Sequence, residues 1–189
     1  QTSDGFIDGN FSMPIRISND VSKACVHKLR AEEDAILVGK NTALKDDPKL
    51  GCRRYEGKAP LRIAIDRNLE IPTYYNFYDN AQPTVIFNSL KDDGVRVKIN
   101  FKKDIIPQIL DWLYENKIQS LIVEGGKYTL EQFIERGLFD AIQVEIGGTP
   151  CYSGVPAPTF STENLVCEVD KFCDSTFIHY KKVNARNPF

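Results

Sequence analysis

The sequence predicts an α/β protein in which a sheet lies between layers of helix. Short apolar runs alternate along the chain with amphipathic stretches, and those runs are compact enough for strands that are covered on both faces. Of the 189 residues, 42% are hydrophobic and 26% are charged. These are ordinary proportions for a globular chain, and the length predicts one domain over residues 1–189.

The first half of the chain is predicted to contain one helix and three strands. Ser18 or Asn19 can cap a helix that runs to about Glu33, because both side chains can accept a backbone N–H at a helix start. Compact apolar runs then predict strands over 35–38, 62–66 and 84–87.

The second half is predicted to contain two helices and four further strands. Asp104 begins a helix, and Gly137 ends the next one because glycine tolerates the left-handed conformation that is common at helix ends. The last two strands would pair as an antiparallel hairpin, so we expect a sheet of mixed direction. The strands are predicted over 119–123, 141–146, 165–169 and 176–181.

Charge and cysteine content exclude several classes of partner. The formal net charge is -2 and the sequence pI is about 5.8, so we expect no nucleic-acid partner. No apolar run approaches the length of a membrane span, so we expect no membrane partner. The five cysteines form no C-x-x-C pair, and His27 and His179 stand apart from paired thiols. We therefore predict reduced thiols in a cytoplasmic protein and no metal site. His27 lies within the first predicted helix, where we expect a half-buried surface position.

A glycine pair follows the fourth predicted strand and precedes a helix. Gly125 and Gly126 would let the backbone approach a phosphate or pyrophosphate closely, and the N–H groups of the helix start attract anions. Glu124, at the strand end, could accept hydrogen bonds from a polar heterocycle, because ligands of open α/β sheets gather there. Each feature also has an ordinary interpretation. The glycine pair could form a tight turn that needs glycine for steric reasons, and Glu124 could be a solvated or salt-bridged carboxylate.

Polar residues also follow the first predicted strand. Thr42 supplies a hydroxyl and Asp46 a carboxylate, although such a segment is more often a surface turn with capping aspartates. Three arginines, Arg30, Arg53 and Arg67, could hold a phosphate in a bidentate grip or could be solvated at the surface. The residues taken one at a time leave both interpretations open.

In combination, these segments resemble one known family. Their order and spacing are similar to those of the reductase domain of the bifunctional riboflavin-biosynthesis deaminase–reductase, which belongs to the dihydrofolate-reductase-like superfamily. The resemblance implies a three-layer α/β fold with a mixed central sheet flanked by helices. It extends from Thr2 to about Gly154. The matching segments are Thr2–Asp8, Ile17–Ser18, His27–Ala31, Asp34–Gly39, Thr42, Asp46–Pro48, Leu50, Arg53, Ile122–Gly126 and Gly137–Asp140.

The resemblance implies an NADPH-dependent oxidoreductase. In this family NADPH reduces the ribose of 5-amino-6-(5-phosphoribosylamino)uracil to the ribityl product, with hydride delivered to C1′ of the opened sugar. The catalytic residue it implies is Asp46, which would hydrogen-bond the reacting sugar or relay a proton. Substrate contacts are implied for Arg30, Leu50, Arg53 and Glu124. Cofactor contacts are implied for Arg16, Thr42, Asp46, Arg67, Gly125, Gly126, Lys127, Tyr128, Thr129 and Leu130.

The resemblance also implies a homodimer. The family's strand-one lysine would lie before Gln1, so we expect the N-terminal strand to be truncated. The family's deaminase domain either precedes Gln1 in the full-length protein or is absent. Two positions depart from the family pattern: Arg16 stands where a tryptophan is common, and Pro14 stands at or near a serine that contacts substrate.

Two other functions stay open. One is a pteridine or dihydrofolate-type reductase of the same superfamily. The pair Arg30 and Arg53 argues against it, because a folate lacks the ribose phosphate. The other is a non-catalytic nucleotide-binding domain, since the departures at Arg16 and Pro14 would permit a pocket that binds ligand without turnover.

Overall fold

A computed structural model of the protein describes residues 1–9, 15 and 17–183. The family departures at Pro14 and Arg16, and the cofactor contact implied for Arg16, lie outside the described residues. None of the helices in the described part of the chain is long and apolar enough to cross a membrane.

The described residues form two units. One comprises residues 26–130, and the other joins the described residues up to 25 to those from 131 to 183. The single domain predicted over 1–189 stays a prediction. In chain order the elements are β1 (Phe6–Gly9), α1 (Asp20–Glu32), β2 (Ala35–Gly39), α2 (Lys40–Asp46), β3 (Leu61–Ile65), a short 3-10 helix (Asn76–Tyr78), β4 (Thr84–Asn88), β5 (Arg96–Lys98), α3 (Ile105–Glu115), β6 (Leu121–Gly125), α4 (Lys127–Ile134), β7 (Ala141–Ile146), β8 (Gly154–Pro156), β9 (Leu165–Phe172) and β10 (Ser175–Lys182).

The unit of residues 26–130 is built on a five-stranded sheet. Its strand order is β5-β4-β3-β2-β6, and every neighbouring pair is parallel. Because the strands share one direction, their carboxyl ends all lie at the same edge of the sheet. The strands predicted over 35–38, 62–66, 84–87 and 119–123 are confirmed as β2, β3, β4 and β6.

Helices cover both faces of this sheet. On one face, Ile36 of β2 and Ile86 of β4 pack in a buried cluster with Ala43 of α2. Phe87 follows Ile86 in the strand and therefore points to the opposite face, where its ring meets Trp112 of α3 with centroids 5.4 Å apart. Each large apolar side chain that is fully buried contributes about 1.5–3 kcal/mol. This unit is therefore three layers deep, as the predicted fold class requires.

The other unit carries antiparallel strands. The strands β7, β10 and β9 form one sheet in that order, and β1 pairs with β8 in another. The predicted terminal hairpin is confirmed, with Ser175 of β10 paired to Phe172 of β9. Within the described residues, the parallel and antiparallel strands thus lie in separate sheets, whereas the sequence predicts one mixed sheet. The antiparallel direction of β9 and β10 follows from the short turn that joins them, whereas parallel neighbours need a long crossover.

The helix ends agree with the predicted capping residues. Asn19 accepts the backbone N–H of Ser22 at 2.8 Å and so caps α1. Asp104 caps α3 in the same way by accepting the N–H of Ile106 at 3.2 Å. Gly137 follows α4 with a φ of 63°, which is the left-handed conformation predicted there.

Candidate functional site

The glycine pair lies at the carboxyl end of β6, where the chain enters α4. Gly125 has a φ of 126°, a conformation that glycine adopts without strain, and the Gly125–Gly126 peptide bond is cis. The carbonyl of Gly126 accepts the N–H groups of Thr129 and Leu130 at 3.0 and 3.1 Å, so the first turn of α4 forms directly on this residue. The N–H groups of a first helical turn lack intrahelical acceptors and can bind an anion.

Two close contacts bring neighbouring elements to this turn. A Cβ atom on Gly126 would lie 3.3 Å from Oγ1 of Thr42 in α2. A Cβ atom on Gly39, the last residue of β2, would lie only 2.5 Å from Oγ1 of Thr129 in α4. Thr42 therefore lies beside the predicted pyrophosphate seat, whereas the buried Thr129 hydroxyl lies against the end of β2. Gly39 is a structural requirement of the site that the sequence analysis missed.

The other α4 residues with implied cofactor contacts differ in their exposure. Lys127 and Leu130 are partly buried, whereas Tyr128 is exposed on the surface. The backbone of this first turn, which all three share, is the part best placed to meet a phosphate group.

Arg30 and Glu124 form a bidentate ion pair. Nε of Arg30 donates to Oε1 at 2.9 Å and Nη2 donates to Oε2 at 2.5 Å, while Nη1 donates to the carbonyl of Gly51 at 3.3 Å. The two side chains are 14% and 25% exposed, so the pair is largely shielded from water. The sequence predicts separate ligand contacts for these residues, and the structure joins them to each other.

A bulge in β6 accounts for the position of Glu124. The ladder pairs Leu37 with Val123 and Val38 with Gly125, which leaves Glu124 as an extra residue in its strand. Bulges interrupt the regular alternation of side chains and can re-aim one residue towards a site. No local pattern in the sequence marks this irregularity.

The loop over 51–57 packs on the end of α1. A Cβ atom on Gly57 would lie 2.7 Å from the Cβ of Ala31, so loop and helix are in close contact. Arg53 is exposed on this loop and lines a cavity of about 500 Å³, together with Arg62 of β3 and Gln82, which precedes β4. This cavity therefore lies towards the amino ends of those two strands. Because Arg30 donates to a carbonyl of the same loop, the structure brings the two predicted substrate arginines into one neighbourhood.

His27 is a further residue of this neighbourhood, and the sequence analysis assigned it no function. It is buried, not half-buried as predicted. Burial is the main cause that lowers the pKa of its imidazole, and the charges of Arg30, Arg53 and Arg54 lower that pKa further. The carboxylate of Glu124 acts in the opposite direction. The spacing of three residues between His27 and Arg30 is the one feature of the sequence that places them on the same helix face.

α2 lies where a surface turn was one of two interpretations of the sequence, and it carries Thr42 and Asp46 one helical turn apart. Residues four apart share a helix face, so the exposed Asp46 lies on the same face as Thr42. Asp47 ends the helix with a left-handed φ of 39° and accepts the N–H of Asn76 at 2.8 Å. Leu50 is 3% exposed and packs in the core cluster, so a substrate contact at this position would come from its backbone.

Arg67 lies further along the same sheet edge, after β3. Its guanidinium lies 5.9 Å from the ring centroid of Phe101, which follows β5. Its carbonyl accepts the N–H of Ser89, after β4, at 3.0 Å. Adjacent strands are about 4.8 Å apart, so β3 and β6 are separated by about 10 Å along this edge. The glycine turn and Arg67 could therefore contact opposite parts of one extended ligand.

A larger cavity, of about 650 Å³, opens beside Tyr78 and Arg96, and none of the predicted site residues line it. We place the candidate site at the carboxyl edge of the sheet, because the glycine turn, Thr42, Glu124 and Arg67 lie at or shortly after the ends of its strands. Over residues 1–9, 15 and 17–183, no group of three or more His, Cys, Asp and Glu side chains could hold a metal ion.

The fold defines an α/β protein with a parallel sheet, and its candidate site lies along the carboxyl edge of that sheet. The same fold occurs in the crystal structure of a diaminohydroxyphosphoribosylaminopyrimidine deaminase/5-amino-6-(5-phosphoribosylamino)uracil reductase from Thermotoga maritima, with a TM-score of 0.83 and 22% identity, covering 96% of this chain and 54% of that chain. It also occurs in RibD of Acinetobacter baumannii, with a TM-score of 0.75 and 14% identity, covering 95% of this chain and 56% of that one. These likenesses confirm the predicted fold class.

Sequence comparison identifies the family. The family model of the RibD C-terminal domain matches residues 1–163, and the chain belongs to this family. The riboflavin biosynthesis protein RibD of Aquifex aeolicus is 37% identical over 156 residues, covering 77% of this chain and 44% of that protein. The 2,5-diamino-6-ribosylamino-4(3H)-pyrimidinone 5′-phosphate reductase of Archaeoglobus fulgidus is 28% identical over 190 residues, covering 89% of this chain and 83% of that protein. The chain therefore spans less than half the length of the Aquifex RibD, and the family resemblance seen in the sequence is confirmed.

Proposed function

We propose that the protein is an NADPH-dependent reductase of riboflavin biosynthesis, which converts 5-amino-6-(5-phosphoribosylamino)uracil to its ribitylamino product. The reaction class is supported by the names of its relatives, which include RibD and a pyrimidinone 5′-phosphate reductase. The single observation that carries the proposal is the position of the Gly125–Gly126 turn. It lies against Thr42 at the same sheet edge as Glu124. A backbone turn suited to a nucleotide phosphate and a carboxylate suited to a polar heterocycle therefore lie side by side.

In this proposal the glycine turn holds the pyrophosphate of NADPH. Because Gly125 and Gly126 have no side chains, the pyrophosphate can approach the backbone closely. The start of α4 contributes N–H donors and a helix dipole that attracts its negative charge. When bound, the reduced nicotinamide supplies a hydride. Arg67 offers a cation to the 2′-phosphate, which favours NADPH over NADH, and its contact with Phe101 restrains the guanidinium.

The phosphorylated pyrimidine binds on the other side of the turn. Arg53, exposed on the loop that Arg30 contacts, binds the phosphate. Glu124 accepts hydrogen bonds from the ring, and Arg30 holds that carboxylate in place by two hydrogen bonds of its own. Arg30 thereby has two roles, since it orients the carboxylate and adds positive charge on the phosphate side. Leu50 contributes through its backbone.

The reduction needs a proton as well as a hydride. A new C–H bond forms at C1′ of the opened sugar in its Schiff-base form, the C=N π bond breaks, and a proton adds to the nitrogen. Asp46 is exposed at the end of α2 on the same face as Thr42, so it is placed to hydrogen-bond the sugar and relay that proton. Binding the two reactants in the correct relative orientation also accelerates the reaction.

The assembly implied by the family is part of the proposal. The Thermotoga deaminase/reductase extends well beyond the 54% of its length that this chain covers, which is consistent with a linked deaminase domain in the full-length protein. The homodimer and the cytoplasmic location stay predictions. Size-exclusion chromatography with light scattering would measure the oligomeric state directly.

The test of the proposed function is an assay of the purified protein with NADPH and the phosphoribosylamino-pyrimidine. We expect NADPH oxidation, followed by its absorbance, together with the ribitylamino product, identified by mass spectrometry. Glu124→Gln is the matched variant, because it keeps the shape of the side chain and removes the charge that pairs with Arg30. It should weaken substrate binding and leave NADPH binding intact.

Two other outcomes would each contradict the proposal. Oxidation with dihydrofolate in place of the pyrimidine would indicate the pteridine or dihydrofolate-type reductase. Binding of both ligands to the full-length protein without any oxidation would indicate the non-catalytic nucleotide-binding domain.

A further inference from the structure

His27 lies buried beside the proposed phosphate site without a role in the reaction described above. It precedes Arg30 by three residues in α1, so the two side chains share a helix face. It is 5% exposed, and its Nδ1 is buried with no hydrogen-bond partner among the residues that the structure describes. Buried polar atoms are normally paired, so an unpaired nitrogen at this place points to a partner that arrives with a ligand.

The charged groups that act on His27 come from three elements. Its own helix contributes Arg30, the loop packed on that helix contributes Arg53 and Arg54, and β6 contributes Glu124. Three positive charges and one negative charge therefore act on His27, and the negative charge of Glu124 is already paired with Arg30. Burial first, and then these positive charges, lower the pKa of His27, so the ring is neutral at neutral pH before a ligand binds.

We infer that His27 is a positioning residue of the phosphate site, and that it takes up a proton when an anionic phosphate ester binds at Arg53. The inference rests on the proposed function, because that function assigns the substrate phosphate to these arginines. A phosphate ester carries close to two negative charges at neutral pH, since its second pKa is about 6. Its arrival reverses the local charge and makes the imidazolium favourable. The proton comes from solvent to a ring nitrogen and returns to solvent when the ligand leaves.

This coupling has a definite sign. A ligand that raises the pKa of His27 binds more tightly as the pH falls through the interval between the free and the bound values. Ionisation of the phosphate would make binding weaker as the pH falls, because a monoanion that binds as a dianion releases a proton. Proton uptake on binding therefore indicates titration of His27, and proton release indicates titration of the phosphate.

Isothermal titration calorimetry with ribose 5-phosphate as the probe tests the inference. Binding to the full chain is measured at about pH 7 in two buffers that differ in ionisation enthalpy, and the difference gives the number of protons exchanged. We expect net proton uptake, and an affinity that rises about threefold to tenfold between about pH 8 and about pH 6.5. If the probe alone is too weak to measure, the full substrate is titrated in the same way.

The chain contains two histidines, which supply a matched pair of variants. His27→Gln keeps a polar side chain but cannot gain a charge, so proton uptake and the rise in affinity should disappear. His179→Gln, in β10, should leave both unchanged and should leave His27 as the sole histidine. NMR titration of that remaining ring, with and without ligand, then reports His27 directly even where His27→Gln fails to fold. We expect its midpoint to rise by about one pH unit or more on binding.

The outcomes separate this inference from the proposed function. Ligand binding without proton uptake, or uptake that persists in His27→Gln, would overturn the role of His27 and leave the reductase proposal intact. Failure of both ribose 5-phosphate and the full substrate to bind would overturn the proposed function and the inference together.

Discussion

Replacement of Gly39 by alanine is expected to destabilise the protein through one interatomic contact. The added Cβ would lie 2.5 Å from Oγ1 of Thr129, a buried hydroxyl on α4. The backbone at Gly39 has a φ of -78° and a ψ of 160°, an extended conformation that alanine adopts freely, so the contact alone causes the strain. Overpacking of this kind costs about 1–3 kcal/mol in the free energy of unfolding.

A second substitution isolates the atom responsible. Without Oγ1 of Thr129, the nearest atoms to the new Cβ are the carbonyl oxygen of Gly125 and the Cβ of residue 129, both at 3.8 Å, which is ordinary van der Waals contact. Thr129→Ala should therefore restore most of the stability that Gly39→Ala removes. We expect a coupling free energy of about 1–2 kcal/mol between the two positions.

Guanidinium denaturation of the wild type, the two single variants and the double variant measures this coupling. Gly51→Ala is the control, because its Cβ would meet only Oε1 of Gln82 at 3.2 Å, at the end of a flexible side chain. Its free energy of unfolding should change by less than about 0.5 kcal/mol. The reasoning is refuted if Gly39→Ala is as stable as the wild type, or if its effect and that of Thr129→Ala are simply additive.

Turnover, cofactor choice and acid stability provide three further tests. Asp46→Asn should lower kcat about 100-fold while KM changes less than about threefold, and an unchanged kcat would remove Asp46 from the proton relay. Arg67→Ala should reduce the preference for NADPH over NADH about tenfold in kcat/KM, and an unaltered ratio would place the 2′-phosphate contact elsewhere. The pKa of Asp4 is lowered from 3.8 to about 2, chiefly because the hydroxyl of Thr2 donates to its carboxylate. Its contribution to stability is therefore complete above pH 3.8 and is lost as the pH falls towards 2, so thermal unfolding of Asp4→Asn should depend less on pH across that interval.

Local patterns in the sequence were sufficient to predict most of the helices and strands. The buried strands of the parallel sheet are apolar runs, and Asn19 and Asp104 cap helices through contacts with residues two or three positions away. β5 was not predicted, because its three residues Arg96–Lys98 carry a single apolar side chain and the strand forms against the edge of β4. β1 and β8 were not predicted either, since each is short and its partner lies at the other end of the chain.

The order and spacing of the glycine pair, the arginines and Glu124 are properties of a linear chain, so the amino-acid sequence was enough to predict which segments form the candidate site. The contacts between these groups are visible only in the folded chain. Arg30 pairs with Glu124 at a distance of 94 residues along the chain, and Gly39 lies against Thr129. The positive charges of Arg53 and Arg54 act on His27 from another segment. Such contacts depend on how crossover helices and loops pack on the sheet. That packing is set by interactions between distant segments, which no local periodicity contains.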